Sequence, residues 1–259
     1  MGVLAAASRK IGDTLYGLGF FAKTLRGAGL FFVRGNVSSR ILVMQILFTF
    51  VEALGITSLL ALGIGGAVNI IGIPFLTGLS QERLIYPLLI AIITRELGPL
   101  LSAFIICARS ATAIATEVAG MVISHEVEAY ISVGIDPIEY LAVPRFLAVT
   151  ISLFLLNVYF SIFGLGGSYL VARLFNPMPA AVYFSNLLHN LSIQDLLIST
   201  IKSVISGMII ATVAVIKGFS VERASTEIPV AGLQAVSLSI GLCVAVNLFL
   251  SAAYYIIGS

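Results

Sequence analysis

Charge is what this sequence has least of. Only 10% of its 259 residues are charged, 59% are hydrophobic, and mean hydropathy is +1.10, whereas a soluble domain has roughly 25% charged and 45–50% apolar residues. So few charged side chains cannot coat a water-facing globule of this size, which excludes an ordinary soluble domain and leaves lipid as the main solvent. Cysteine is nearly missing too. Cys107 and Cys243 both lie in apolar runs, where they act as small buried hydrophobes, so no disulfide framework is expected. Low-complexity tracts, long linkers and internal repeats are also lacking, and one integral domain is expected at 41–259, preceded by a basic region at 1–40.

The charges present are unevenly placed. Residues 1–40 hold Arg9, Lys10, Lys23, Arg26, Arg34 and Arg40 against Asp13 alone, a local net of +5, which leaves −3 for the rest. Leu15, Leu18, Phe20, Phe21, Leu25, Leu30, Phe31 and Phe32 are interleaved with them, a mixture suited to a helix lying in the membrane interface. No apolar segment of signal-peptide form precedes Arg9, and residue 6 is Ala rather than Ser or Thr, so neither secretion nor myristoylation is expected.

Five runs are long and apolar enough to span, at about 41–64, 84–117, 146–172, 196–216 and 232–257. All are expected to be helices, because backbone groups in lipid must be paired within the segment. With the amino terminus inside, nine Lys and Arg fall on cytoplasmic parts against Arg83 and Arg173 outside, the positive-inside pattern. Five crossings put the carboxyl terminus outside. The stretch 174–190, with Pro177, Pro179, Asn176, Asn186 and His189, reads as a loop with a short surface helix.

The second run is the unusual one. Arg95 and Glu96 stand about 17 Å into it, where each ionisable group costs about 2.5–3.5 kcal/mol on insertion scales and faces a bundle interior or a water-filled space. In an unbroken helix Arg95, Ser102, Arg109 and Thr116 share one polar stripe. Pro99 lacks the amide that the Arg95 carbonyl needs, so a kink is expected beside the charged pair. The pair either holds the bundle together by pairing with neighbouring helices or lines a substrate cavity, with Lys202 of the fourth run able to approach. Glu52 sits alone in the first run. Ala111, Ala115 and Ala119 make a face on which another helix can come close.

Between Ser110 and Pro144 there are five acids and no Lys or Arg. Ser124 is placed to cap a helix with Glu126 and Glu128 in its first turn, Val127, Tyr130 and Ile131 on one side, and Gly134 to stop it. Asp136, Pro137 and Glu139 then restart a helix. An acidic helix on a basic face reads as a docking element or as a plain solvated turn. The phosphate-loop likeness of 17–24 fails at Ala22, His125-Glu126 lacks the second His of a zinc protease helix, and His189 stands alone, so no nucleotide or metal site is expected. Gly164, Gly166 and Gly167 read as close-packing residues in the third run.

The runs Arg95-Glu96-Leu97-Gly98-Pro99-Leu100, Ala108-Arg109-Ser110-Ala111-Thr112-Ala113-Ile114-Ala115-Thr116-Glu117, Val127-Glu128-Ala129-Tyr130, Gly134-Ile135-Asp136-Pro137 and Val143-Pro144-Arg145-Phe146-Leu147-Ala148 resemble the MlaE (YrbE-like) family of ABC transporter permeases, the membrane subunits of MCE-type lipid transport systems. Ile201-Lys202-Ser203-Val204 and Asn247-Leu248-Phe249-Leu250 extend the likeness more loosely. The resemblance implies an all-α integral membrane protein, with an N-terminal interfacial helix, about five transmembrane helices and a cytoplasmic coupling helix between spans two and three. It implies a homodimer in the bacterial inner membrane, bound to cytoplasmic ATPase subunits that hold ATP and Mg, to periplasmic MCE-domain lipid-binding proteins and to a STAS-domain accessory protein. No cofactor is expected in this chain itself, and no nucleic-acid partner.

Phospholipid would pass between the inner and outer membranes, helping to maintain outer-membrane lipid asymmetry. By the same likeness Arg95, Glu96 and Lys202 line a lipid cavity, while Ser124, His125, Glu126, Val127, Glu128, Tyr130, Ile131 and Gly134 form the ATPase-coupling helix. An intramembrane enzyme and a passive channel or scaffold are the competing readings. The enzyme lacks a paired nucleophile and base inside the spans, and a scaffold has no need of buried charges in its second span.

Overall fold

A computed structural model describes residues 17–30, 39–175, 179–222 and 224–258. The parts of the basic region at 1–16 and 31–38 lie outside it. The described residues are helical, with no strand among them. In chain order the helices are α1 (17–30), α2 (Ser39–Val51), α3 (Leu54–Gly78), α4 (Ile85–Ile123), α5 (Glu126–Ser132), α6 (Val143–Phe175), α7 (Ala180–Asn190), α8 (Ile193–Phe219) and α9 (Ile228–Gly258). Helices α3, α4, α6, α8 and α9 are each long and apolar enough to cross a membrane, so the protein is an all-α membrane protein.

The first crossing differs from the expected 41–64. The apolar stretch from 41 to 78 is nearly twice the ~20 residues that a bilayer requires, and the chain divides it at Glu52, its one charge. That residue is exposed in the turn between α2 and α3, so it lies at a helix boundary and not inside a span. The spanning helix is Leu54–Gly78. The short surface helix expected within 174–190 is α7.

Helix α4 is not uniformly wound. It widens to π-helical turns at Ile90–Leu97 and Cys107–Ala111, features often found at functional sites. Each widened turn shifts the angular register, so the stripe computed for an unbroken α-helix does not form. Ser102 is fully buried while Arg109 is exposed.

The residues group into two compact units. Among the described residues, those within 1–49, 106–150 and 207–242 make one, and those within 50–105, 151–206 and 243–259 the other. In the first unit, Ala111, Ala115 and Ala119 are completely buried. A Cβ added at Gly218 of α8 would lie 2.9 Å from the Ala115 carbonyl oxygen, so the helix that uses the small-residue face belongs to the same chain. Helix α1 packs Phe20 on Phe219 and Phe21 on Phe146, with ring centroids 6.3 and 6.1 Å apart. Arg145 is buried. It donates to the Leu141 carbonyl at 2.9 Å and pairs with Glu117 at 2.8 Å.

The joint between α4 and α5 corrects one expectation. Ser124 does not cap α5, because its hydroxyl turns back to the Gly120 carbonyl and to Glu126 Oε1. His125 takes the cap position with φ +61. So short a joint needs a left-handed residue to reverse the chain, and Asx-like or aromatic polar residues accept that conformation more readily than branched ones. Gly134 ends this segment at φ +80, as expected. Asp136 caps the next turn, its Oδ1 accepting the Ile138 amide at 2.9 Å, and its Oδ2 pairs with Lys23 of α1 at 2.5 Å.

In the second unit α3 and α6 approach through glycine. A Cβ on Gly65 would lie 2.2 Å from the Gly164 carbonyl oxygen, and one on Gly167 would lie 2.2 Å from Leu62. No hydrophobic force drives helices together in lipid, so backbone approach and polar contacts must hold them. Asn69 supplies one, donating to the Ser168 carbonyl at 2.6 Å, and Ser168 in turn bonds the Tyr183 hydroxyl of α7. Tyr86 and Tyr169 pack on Tyr183, with Leu89, Ile90, Ile93 and Phe160 at the centre of this core.

Two outcomes follow. Gly65→Ala should lower stability by about 1–3 kcal/mol through overpacking, whereas Gly63→Ala, with nothing within 4 Å, should leave it nearly unchanged; thermal unfolding in detergent compares them. Burial favours the neutral Asp136 carboxyl, but the bonds from Lys23 and the Ile138 amide outweigh it and hold the pKa below its ordinary 3.8. The contact's contribution is therefore complete above that value and lost as pH falls through the lower folded one. Asp136→Asn should remove that acid-side dependence from a pH series of unfolding temperatures.

Candidate functional site

Pro99 starts the construction of the site. It has no N–H to offer the carbonyl of Arg95 four residues back, and that oxygen accepts a hydrogen bond from Lys202 Nζ at 3.0 Å. Lys202 comes from α8, with a side chain only 1% exposed. Its other two N–H groups go to Glu96 Oε2 at 2.8 Å and to Ser251 Oγ of α9 at 2.7 Å. An ammonium has three donors, so all of them are engaged. Ser251 closes the triangle by donating to Glu96 Oε2 at 2.7 Å. Burial of a lone ammonium would cost several kcal/mol, and this set of partners offsets it.

Close backbone approach brings the helices to this point. A Cβ on Gly98 would lie 2.8 Å from Asn157 Oδ1 of α6, and Asn157 also donates to Ser199 Oγ of α8 at 2.8 Å. The glycine before Pro99 therefore lets α6 press against α4, and the amide of Asn157 ties α6 to α8.

Arg95 occupies the more open side. Its Nη1 lies 3.4 Å from Asp195 Oδ1, and its Nη2 donates to the Tyr255 hydroxyl at 2.5 Å. The guanidinium carbon is 5.2 Å from the Tyr254 ring centroid and 4.9 Å from that of Tyr255. Its Nε faces Glu96 Oε1 at 3.8 Å, and neither atom has a hydrogen-bond partner although both are buried. Side-chain exposure rises from 1% at Lys202 through 11% at Asp195 and 14% at Arg95 to 32% at Glu96. The cluster is thus closed behind Lys202 and accessible at Glu96.

The three residues singled out from sequence, Arg95, Glu96 and Lys202, meet here. Asp195, Ser251, Tyr254 and Tyr255 were missed. Asp195 had a weak signal, since it precedes Lys202 by seven residues and so shares its helix face. A serine and two tyrosines near the end of an apolar helix had none. The other predicted set is on α5 and its flanks. No residue of α5 is buried, Glu126 and Glu128 are exposed, and Ile131, Val133 and Ile135 add exposed apolar surface after them. His125 Nδ1 lies 2.9 Å from Glu128 Oε2, and Tyr130 packs on Tyr140. Among the described residues no His, Cys, Asp and Glu are grouped to hold a metal ion. Cys107 and Cys243 are buried thiols that form no disulfide.

The family model described as Permease MlaE matches residues 42–253, a stretch that includes the cluster up to Ser251. A probable ABC transporter permease protein of Rickettsia felis is 26% identical over 187 residues, 72% of each chain. The intermembrane phospholipid transport system permease protein MlaE of Haemophilus influenzae is 27% identical over 180 residues, 69% of each chain. The chloroplastic protein TRIGALACTOSYLDIACYLGLYCEROL 1 of Arabidopsis thaliana is 26% identical over 182 residues, 70% of this chain and 52% of that one. With a family match across most of its length and five spanning helices, this chain belongs to the MlaE permease family and is a membrane permease.

Proposed function

We propose that this permease is the membrane subunit of an ATP-binding-cassette transporter that moves phospholipid between the inner and outer membranes of a bacterium, helping to maintain outer-membrane lipid asymmetry. The observation that carries the reading is a partly accessible cluster of four charges inside otherwise apolar spanning helices. Charges so placed cannot face lipid tails; these pair with one another, and the partly exposed side at Arg95 and Glu96 suits a polar ligand or a wet cavity. A phospholipid satisfies both surroundings, its tails against the apolar helix faces and its headgroup against Arg95 and Glu96. The name of the Haemophilus influenzae relative supports the same substrate.

Roles within the cluster differ. Arg95 keeps N–H groups free and a fork suited to phosphate. Lys202 has no donor left for a headgroup, so it positions Glu96 and the broken turn of α4. Glu96 offsets the positive charge so that a bound lipid also leaves.

ATP and Mg would be held by a partner ATPase in the cytoplasm, docked on α5 through Glu126, Glu128 and the exposed apolar residues beside them. The names of the Rickettsia and Haemophilus influenzae relatives support such an assembly. A homodimer of this chain, a periplasmic MCE-domain protein and a STAS-domain accessory protein complete the proposed complex. The excess of Lys and Arg in the amino-terminal region and in 217–223 favours a cytoplasmic amino terminus and a periplasmic carboxyl terminus.

In reconstituted complexes Arg95→Gln should slow lipid transfer between vesicles about tenfold or more, the worth of a lost charge-assisted hydrogen bond. Lys202→Met should reduce transfer and also destabilise the protein, by about 1–3 kcal/mol, because Glu96, Ser251 and the Arg95 carbonyl lose their shared donor. Wild-type transfer rates in both variants and in Glu96→Gln would sink the assignment. Glu126→Lys with Glu128→Lys should abolish co-purification of the ATPase while membrane insertion persists; undiminished association removes the docking role.

A further inference from the structure

The polar cluster is electrically balanced. Arg95 and Lys202 supply two positive charges, Glu96 and Asp195 two negative ones, and ion pairs join all four. Lys202 and Glu96 make the tightly bonded half. The half made by Arg95 and Asp195 has different surroundings. The Tyr254 and Tyr255 rings meet at 76° with centroids 5.8 Å apart, and the Arg95 guanidinium carbon lies about equally far from both, at 5.2 and 4.9 Å. Asp195 stands 3.4 Å away as a third wall. Two aromatic faces at a corner, closed by a carboxylate, form a seat for a cation, which ring quadrupoles attract and the carboxylate neutralises.

The protein's own arginine holds the seat, closely at the Tyr255 hydroxyl, 2.5 Å from Nη2, and loosely at Asp195. The contact to Asp195 is at the long limit of a hydrogen bond. Arg95 Nε has no hydrogen-bond partner, and Tyr255 is 54% exposed, so the seat is open on one side.

We propose that Asp195, Tyr254 and Tyr255 select the headgroup of the transported lipid, an inference that rests on the lipid-transport reading above. The ammonium of a zwitterionic phospholipid takes the place of the Arg95 guanidinium in the seat, and Arg95 turns to the phosphate of the same molecule. No bond is made or broken, and the exchange conserves charge balance. One cation replaces another beside Asp195, and the displaced guanidinium meets the phosphate. An anionic headgroup has no cation to give the seat and leaves the cluster with one unbalanced negative charge inside the spanning helices, where such a charge is costly. Lys202 cannot compensate, since its three donors are engaged. The net charge of the cluster therefore matches a headgroup of zero net charge, and Asp195 sets that match.

The test uses the full chain reconstituted in vesicles of equal phosphatidylethanolamine and phosphatidylglycerol, re-extracted, with retained lipid measured by mass spectrometry. The wild type should retain phosphatidylethanolamine over phosphatidylglycerol by about fivefold or more, the size of one partly desolvated cation–π contact. Asp195→Asn gives the cluster a net positive charge and should reverse the preference, and Asp195→Glu should restore it. Tyr254→Leu keeps every charge and should weaken the preference without reversing it, which serves if Asp195→Asn fails to accumulate. Wild-type retention in the proportions of the vesicle, or an unchanged preference in Asp195→Asn and Tyr254→Leu, overturns the seat and leaves the lipid-transport reading standing. Retention of no lipid by the wild type overturns both.

Discussion

An ammonium group buried inside a membrane-spanning helix has to be answered by nearby polar atoms, and in this protein the answer organises the surrounding helices. Lys202 of α8 spends its three protons on Glu96, on Ser251 of α9, and on the Arg95 carbonyl that Pro99 leaves open. Each acceptor lies on a defined element, so satisfying one charge places α4, α8 and α9 with respect to one another within this unit. Apolar packing alone could not, because lipid tails compete equally for apolar faces. The proline creates the vacancy, the widened turn at Ile90–Leu97 presents it, and Gly98 admits Asn157 of α6 beside it.

The rest of the helix packing follows the same economy of directional contacts. Gly65 and Gly164 in one unit, and Ala115 and Gly218 in the other, bring backbones close enough for dispersion to matter. Asn69, Ser168 and Tyr183 then add a polar chain that fastens α7. Outside the cluster, Lys23 pairs with Asp136 and Arg145 with Glu117. Those pairs hold the chain. The cluster around Arg95 lies within the spanning helices and is incompletely bonded and partly open, with a neutral total charge, which suits a site that takes up and gives up a polar headgroup.

Much of this was legible in the sequence. Scarcity of charge identified lipid as the solvent, five apolar runs gave the spanning helices, and Pro99 announced an orphaned carbonyl at Arg95. The buried alanine face at 111, 115 and 119, the stop at Gly134 and the Asp136 cap were also readable, since each depends on residues within a few positions of one another. Where local reading went astray, competition was the cause. The apolar stretch 41–78 holds more residues than one span uses, and Glu52 marks the division. Ser124 had two backbone ends within reach and bonded the one behind it.

By itself the sequence determined the solvent, the helical class and the presence of ionisable groups where lipid should be, because composition and periodicity are properties of a chain read in one dimension. Only the tertiary structure decided which groups answer those charges. Asp195, Ser251, Tyr254 and Tyr255 are ordinary residues in their own helices, and each acquires a role from Arg95 or Glu96, about 100 to 160 residues away in the chain. Desolvation is the physical reason. A charge removed from water must find its partners in three dimensions, and no local pattern records where the fold will bring them.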